Sequence, residues 1–196
     1  MDALEAIFTR RSTRKFKPEL PPRALIEQVL EAGRSGPSGH NSQFSHFYVI
    51  TDPAQLERLA VLVREAFAKK EVTPGMYASL VNSITASKKG MYVFHYHTPV
   101  LIIAANRRDY GNAMADNACA LENMMIAANA LDLGACYINQ LHWLDEEESV
   151  RAYLRTLGVG DTETETITGA LSLGYAADGL PNRTPRQTAG NEVTWL

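Results

Sequence analysis

The sequence is poor in several features that mark common classes of protein. It has only two cysteines in 196 residues, too few for a disulfide framework, and this indicates a reducing compartment. Its net charge of −3 argues against a dedicated nucleic-acid binder, because such a protein needs a basic face. No apolar run has the length of a membrane span, and no signal-peptide pattern is visible. We therefore expect a cytoplasmic protein with no membrane or nucleic-acid partner, which binds small molecules or itself.

Several catalytic signatures are also missing. Gly33, Gly36 and Gly39 follow a predicted helix, so they are not the G-x-G-x-x-G turn of a Rossmann nicotinamide site, and there is no P-loop. No G-x-S-x-G elbow marks a nucleophilic serine. His95 and His97 lack an acidic or cysteine partner at a metal-ligand spacing. The residues therefore indicate no metal site, and no side chain is predicted to be catalytic.

The chain is rich in helix-forming apolar residues in one stretch, from Asn112 to Leu131. It is rich in alanine, leucine and methionine, and its few polar residues are scattered around the predicted helix. A helix without a polar face is a buried helix. We expect it at the centre of the core or at a subunit interface.

The remaining pattern predicts an α+β fold in a single domain covering residues 1–196. The chain is 45% hydrophobic, with no linker, and its predicted strands are too irregularly spaced for a βαβ alternation. These strands lie at 44–51, 99–104, 135–138 and 166–175. Asp145 to Glu148 reads as a capping box that opens a helix. Residues 69–92 are expected to be a mobile lid, and residues 176–196 a tail that packs on a second subunit.

A cationic cluster follows the first predicted helix. Guanidinium groups and hydroxyls together suit a terminal phosphate, because each charge-assisted hydrogen bond contributes about 1.5 to 3 kcal/mol. A solvated basic turn would have the same composition, and the motif alone does not separate the two. The candidate residues are Arg10, Arg11, Ser12 and Arg14, with Arg183 and Arg186 of the tail as candidates to close the same site.

Two further segments have the composition of a binding loop. Residues 37–43 combine glycine, which permits close backbone approach, with amides that can hydrogen bond to a heterocycle. Residues 134–140 form a strand that leaves the core and exposes backbone donors. Each is equally readable as an ordinary connection. The candidate residues are Pro37, Ser38, Gly39, Asn41 and Gln43 in the first segment, and Tyr137, Ile138, Asn139 and Gln140 in the second.

Taken in order, these motifs resemble the FMN-dependent nitroreductase family. The likeness rests on RRSTRKF at 10–16, PSGHNSQ at 37–43, the alanine- and methionine-rich helix at 115–131, LGACYIN at 133–139 and GALSLG at 169–174. The resemblance implies a mixed central sheet flanked by helices and an intertwined homodimer with FMN at the interface. It assigns the arginine cluster to the FMN phosphate, residues 37–43 to contacts from the partner subunit, and residues 137–140 to the flavin ring.

The activity implied by the resemblance is a ping-pong hydride transfer. NADH or NADPH would reduce FMN, and a nitroaromatic, a quinone or a similar small-molecule electron acceptor would then be reduced at the same site. Two alternatives remain open. One is a flavin enzyme of the same fold that carries out dehalogenation or desaturation, and the other is a dimeric flavin-binding protein without turnover.

Overall fold

A computed structural model of the chain describes residues 1–160, 163–185 and 190–196. Its helices are α1 (Ala3–Thr9), α2 (Arg23–Arg34), α3 (Pro53–Ala68), α4 (Ala78–Lys88), α5 (Ala113–Ala130), α6 (Gln140–Trp143) and α7 (Glu148–Thr156), and Gly39–Asn41 forms a 3₁₀ turn. Its strands are β1 (His46–Ile50), β2 (Val100–Arg107), β3 (Gly134–Ile138) and β4 (Glu165–Gly174). The α+β class expected from the sequence is confirmed.

The four strands form one sheet in the order β1-β2-β4-β3, and each neighbouring pair is antiparallel. Parallel pairing enters through an isolated bridge between Ser12 and Ala135, so the sheet is mixed only where the amino-terminal segment joins it. The β2–β4 register shifts beside Ala104, which leaves Thr168 as an extra residue. Thr168 Oγ1 donates to the Ala104 carbonyl and accepts from Asn117 of α5, which satisfies polar groups at the irregularity.

Strand β2 lies at the centre of the structure. Its unbroken apolar run predicts a strand buried on both faces, and its residues from Val100 to Asn106 are all buried. Because side chains alternate along a strand, Leu101 and Ile103 pack towards α3, α4 and α7. Ile102 and Ala104 pack on the opposite side, towards α2 and α5. Helical layers therefore cover both faces of the sheet.

Helix α5 occupies the expected stretch, but it is buried on one side only. Leu121, Met124 and Ala128 pack against the sheet and α2. Met114 and Cys119 on the outer side are exposed. The chain by itself therefore does not cover this helix.

The predicted capping box at Asp145 is wrong. Helix α7 begins at Glu148, with Glu147 in the N-cap position. Asp145 is buried instead, where it lies 3.2 Å from the guanidinium of Arg151 and accepts hydrogen bonds from the backbone N–H of Ile167 (3.0 Å) and the hydroxyl of Thr166 (2.7 Å). A sequence pattern for a cap does not distinguish an exposed carboxylate from one that is needed for a buried ion pair.

Within the described ranges, no helix combines the length and the apolar character that crossing a membrane requires. Several large apolar side chains nevertheless remain exposed on α1, including Leu4 and Phe8, and at the carboxyl terminus, where Trp195 is 92% exposed.

Candidate functional site

The cationic segment lies beside β3 because its backbone pairs with that strand. The N–H of Thr13 donates to the carbonyl of Ala135 at 2.9 Å, next to the Ser12–Ala135 bridge. Gly134 makes this approach feasible, since a Cβ at that position would lie 2.6 Å from the hydroxyl oxygen of Thr13. The arginines are thus held by sheet pairing and by a glycine that leaves them room.

The same segment is anchored again downstream. The N–H of Lys17 donates to the carbonyl of Tyr175, and the N–H of Ala177 donates to the carbonyl of Lys15. Phe16 forms an antiparallel bridge with Ala176. Residues 12–17 therefore connect β3 with the chain that follows β4, which restricts the positions of the cationic side chains.

A cavity of about 300 Å³ lies among these side chains, lined by Arg10, Arg11, Ser12, Arg14 and Asn182. Arg10 makes a 3.2 Å ion pair with Glu122, and Arg11 donates to the carbonyl of Thr184. Arg14 is exposed and forms no ion pair within the described part of the chain; its guanidinium lies 6.0 Å from the ring centroid of Tyr96. The cavity thus presents more cationic than anionic groups, as an anionic ligand requires.

A larger cavity of about 660 Å³ adjoins the first one, because Arg14 lines both. Its volume lies in the range of small-molecule and cofactor sites. Its wall includes the aromatic side chains of Tyr77, Tyr96 and Trp143, together with Tyr137 of β3. The other residues that line it are Ser79, Met114, Cys136, Asn139, Gln140 and His142.

The structure thus brings two of the three predicted segments together. The arginine cluster and the end of β3 border adjoining cavities, although they are more than one hundred residues apart in the sequence. Ile138 is the exception among the predicted residues, because its side chain is 1% exposed and packs in the core. Ile138 is not among the residues that line the larger cavity.

The side chain of Gln140 is buried and hydrogen bonded within the core. Its Nε2 donates to the hydroxyl of Tyr92 at 2.7 Å, and that hydroxyl lies 2.8 Å from the hydroxyl of Ser83 on α4. Burial raises the pKa of Tyr92 to about 12. The hydrogen bonds link the wall of the larger cavity to α4, whose residue Ser79 also lines it. The 69–92 segment therefore supplies one side of the site.

The thiol and the phenol next to this wall are poor acids. Burial raises the pKa of the Cys136 thiol above its ordinary value, although Arg14 opposes this effect. Burial likewise raises the pKa of Tyr137, whose hydroxyl donates to the carbonyl of Thr168 at 3.3 Å. Neither group therefore ionises readily at neutral pH, and neither is a strong candidate for a nucleophile.

The third predicted segment, at 37–43, lies apart from these cavities within one chain. Pro37, Ser38 and Gln43 line a separate cavity of about 210 Å³ that also includes Asp116. The N–H of Gly39 donates to Asp116 at 3.2 Å, and the side chain of Gln43 donates to that of Asn41 at 2.9 Å. Asn41 and Gln43 have positive φ values. A site shared with the arginine cluster would have to come from a second chain.

Contacts within the chain explain the glycines in and next to this loop, and the sequence did not reveal these contacts. A Cβ on Gly39 would lie 2.5 Å from the hydroxyl of Tyr110, and one on Gly36 would lie 3.2 Å from the Cα of Ala120. Both glycines therefore allow the loop to approach its own fold closely. A role in admitting a ligand is not needed to account for them.

The two tail arginines cannot be treated alike. Arg183 forms an ion pair with Asp132 and donates to the carbonyl of Asn129, so it binds the carboxyl end of α5. It does not line the cavity of the arginine cluster. Arg186 lies outside the described residues.

Sequence reasoning missed several residues that line the larger cavity. Tyr77 lies in the 69–92 segment and Tyr96 between His95 and His97, and no motif singled them out. His142 and Trp143 follow directly after the predicted ring-binding segment. The last two could have been found by extending that segment by one helical turn. No cluster of metal-ligating side chains is found in the parts of the chain that the structure describes.

Comparisons with known proteins agree on a family. The family model for the nitroreductase family matches residues 7–175. A crystal structure of a nitroreductase with bound FMN from Bacteroides fragilis is 33% identical, covers 100% of both chains and superposes with a TM-score of 0.86.

Two further proteins are similar in sequence over most of the chain. A protein of Archaeoglobus fulgidus that is provisionally named NADH dehydrogenase/NAD(P)H nitroreductase is 27% identical, with 90% of this chain and 87% of that protein covered. The FMN reductase (NADPH) of Bacillus subtilis is 23% identical, with 99% of this chain and 74% of that protein covered.

Proposed function

The chain belongs to the nitroreductase family, and on that premise we propose that it transfers hydride from NADH or NADPH through FMN to a nitroaromatic, a quinone or a similar acceptor by a ping-pong mechanism. The observation that carries the proposal is the junction at Arg14 of a cationic cavity and a larger, aromatic-lined cavity. A phosphorylated planar cofactor needs both environments next to each other.

The residues present fit FMN. In this proposal Arg10, Arg11, Ser12 and Arg14 hold the phosphate, because their guanidinium and hydroxyl donors match its oxygens. Tyr137, Asn139 and Gln140 border the ring, and Ile138 belongs to the same segment with its side chain in the core. Bound FMN would supply the redox chemistry, by accepting a hydride and passing it on.

A second copy of the chain completes the proposed site. Pro37, Ser38, Gly39, Asn41 and Gln43 would reach the cofactor from the partner subunit, since in one chain they line a different cavity. The exposed apolar side chains of α1, α5 and the carboxyl terminus support a homodimer, because water-exposed apolar surface of this extent is characteristic of interfaces. The main contributors are Leu4, Ile7, Phe8, Met114, Val193 and Trp195.

The tail is divided between two roles in this proposal. Up to Thr184 it contacts its own chain, through Arg183 and through the carbonyl that accepts from Arg11. Residues 190–196 are exposed and are proposed to pack on the partner subunit. Arg186 remains a proposed phosphate ligand, whereas Arg183 is proposed to act by fixing the tail.

The acceptor is proposed to be planar. Tyr77, Tyr96 and Trp143 provide aromatic surface around the larger cavity, and stacked aromatic rings attract one another beyond their buried area. We also propose a cytoplasmic location, where the free thiols of Cys119 and Cys136 would remain reduced.

A spectroscopic experiment tests the proposal. Purified protein reconstituted with FMN should be yellow, should bleach under nitrogen when NADH or NADPH is added, and should recover its colour when a quinone or a nitroaromatic follows. A protein that binds FMN but does not bleach would instead support another flavin reaction or a binding role. A protein that does not bind FMN would contradict the proposal.

The shared site has its own test. Sedimentation at micromolar concentration should give a dimer. Mixed dimers that carry Arg14→Ala in one chain and Asn41→Ala in the other should retain one intact site out of two, because both changes fall in the same shared site. A dimer that carries both changes in one chain and none in the other should have two damaged sites. The reverse result, with no intact site in the first dimer and one intact site in the second, would contradict the arrangement.

A further inference from the structure

His142 lines the larger cavity, and the proposed hydride transfer assigns no role to its imidazole. It lies on α6, two residues after Gln140, and its ring lines the cavity together with Asn139 and Trp143. It is half-buried, so the ring is neither sealed in the core nor free in solvent. Its position next to the proposed ring-binding segment brings it close to the reacting molecules.

One nitrogen of the ring has a defined partner. Nδ1 of His142 lies 2.9 Å from the carbonyl oxygen of Ile167 on β4. A carbonyl only accepts hydrogen bonds, so Nδ1 must carry a hydrogen. This contact leaves Nε2 without a partner within the described part of the chain. Nε2 is therefore free to hold a proton when the ring is charged and to lose it when the ring becomes neutral.

The backbone that orients the ring is itself fixed. Ile167 donates its N–H to Asp145 at 3.0 Å, and the N–H of Asp145 donates to the carbonyl of His142 at 3.2 Å. Asp145 in turn pairs with Arg151, which is 2% exposed, and with Arg108. A buried ion-pair cluster thus holds both the helix that carries His142 and the strand that supplies its partner.

The other groups that face this cavity are worse proton donors. Burial raises the pKa of both Cys136 and Tyr137. The remaining titratable or charged groups in the lining are the guanidinium of Arg14 and the phenols of Tyr77 and Tyr96. Imidazole exchanges its proton in the neutral range. The lining therefore offers one side chain suited to general acid catalysis.

We propose that His142 is a catalytic residue that protonates the electron acceptor from Nε2–H while the acceptor takes up hydride. The inference rests on the proposed function. A quinone that receives a hydride becomes a hydroquinone anion, and one proton from His142 completes the hydroquinone. The reduced nicotinamide is the source of the electron pair, and the neutral imidazole regains its proton from water.

The test compares two half-reactions in His142→Asn. Asparagine can keep a donor near the Ile167 carbonyl, but it has no group in place of the Nε2 acid. Reduction by NADH or NADPH, followed by stopped flow, should keep its wild-type rate. Reoxidation by a quinone should slow by about 100-fold, since a positioned general acid typically contributes 10²- to 10⁴-fold. Reoxidation by ferricyanide, which takes electrons without a proton, should not change.

Controls separate this inference from the proposed function. If the wild-type protein does not bind FMN, or if NADH and NADPH do not reduce the bound FMN, the proposed function is contradicted. Normal reduction with unchanged quinone reoxidation in His142→Asn would overturn the role of His142 alone. His142→Gln provides a second variant if the first does not fold, and His97→Asn, which alters a histidine outside this cavity, should leave both half-reactions unchanged.

A measurement without turnover provides an independent check. In ¹⁵N NMR spectra of the oxidised protein, the neutral ring of His142 should carry its hydrogen on Nδ1, and the Nε2 resonance should shift when phenol, which has no reducible group, is added as a mimic of a phenolic product. A neutral ring with its hydrogen on Nε2, or an Nε2 resonance that does not respond, would contradict the proposal.

Discussion

Two groups of arginines in this protein differ in whether their charges are matched within the chain. Arg151 is 2% exposed and lies against the buried carboxylate of Asp145, which Arg108 also contacts. Arg10, Arg11 and Arg14 surround an open cavity, where Glu122 supplies a carboxylate to Arg10 and the described residues supply none to Arg14. The first group is matched in charge within the chain, although Nε and Nη1 of Arg151 have no hydrogen-bond partner among the described residues. The second group has cationic charge left over.

The difference teaches how to separate a structural charge from a binding charge. Burying a charge costs free energy unless it is paired, so the Arg151 cluster must be complete in the folded chain. An exposed guanidinium remains hydrated in the absence of a ligand and is available to bind one. Loss of a residue from the first group should therefore affect stability, and loss from the second should affect FMN binding.

The largest effect on FMN binding is expected when Arg10 and Arg14 are both changed to alanine. Removing two charge-assisted hydrogen bonds should weaken FMN binding by about 3 kcal/mol or more, which is roughly 100-fold or more. Fluorescence titration of the apoprotein measures the affinity. The control is Arg23→Ala with Arg155→Ala, which removes two surface ion pairs and the same charge and should leave FMN affinity unchanged. Equal losses in both variants would remove the distinction between the two arginine groups.

Changing Asp145 to alanine should produce the opposite pattern. The buried guanidinium of Arg151 would lose its carboxylate, which should cost about 3–5 kcal/mol of folding free energy and lower the Tm by roughly 6–20 °C. Thermal denaturation measures the change. FMN affinity of the protein that remains folded should stay near wild type. A stable variant that no longer binds FMN would contradict the distinction between the two groups of arginines.

His95 tests whether a missing partner by itself indicates a binding site. It is 2% exposed, neither ring nitrogen has a hydrogen-bond partner among the described residues, and burial lowers its pKa to about 4, with Glu57 and His97 as the nearby charged groups. The unfolded chain binds the proton more tightly, so stability is full above about pH 6.5 and falls as the pH drops towards 4. The loss should reach roughly 3 kcal/mol.

The His95→Leu variant isolates this contribution. Urea denaturation at pH 7 and at pH 4.5 should show a smaller loss of stability in His95→Leu than in the wild-type protein, because the other acid-sensitive groups are common to both. The exposed His40, changed to glutamine, should leave the wild-type difference intact. Parallel losses in wild type and His95→Leu would show that His95 is not held neutral by burial.

The smallest effect is expected for Gly134→Ala. Its Cβ would lie 2.6 Å from the hydroxyl oxygen of Thr13, so the cationic segment must move away from β3, at a cost of about 1–3 kcal/mol. FMN affinity should fall by about ten-fold because the arginines are displaced. Gly111→Ala is the matched control, since no atom lies within 4 Å of its Cβ. Unchanged affinity in Gly134→Ala would show that pairing with β3 does not position the arginines.

Local patterns in the sequence were sufficient for most elements of the fold. The apolar run of β2 indicates burial on both faces, and Asp52-Pro53 indicates the start of α3, where the Asp52 side chain accepts from two backbone N–H groups. These predictions succeed because period, propensity and capping act within a few residues. Asp145 fails because its role depends on Arg151 and on Ile167 of a distant strand.

The candidate site shows the same division. The arginine cluster and the 134–140 segment were recognisable from donor chemistry, but their junction at Arg14 depends on the Ser12–Ala135 bridge. Gln140 was predicted to border the ligand, and it lines the larger cavity, but its side chain binds Tyr92 because a buried amide requires a hydrogen-bond partner. Long-range pairing and the satisfaction of buried polar groups are not encoded in local spacing.

A paired titration with FMN and riboflavin tests the central claim most directly, because the two ligands differ only in the phosphate. Wild-type apoprotein should bind FMN roughly 100-fold or more tightly than riboflavin, and the preference should disappear in Arg10→Ala with Arg14→Ala. Equal affinities in the wild-type protein, or a preference that survives in the double variant, would contradict the account.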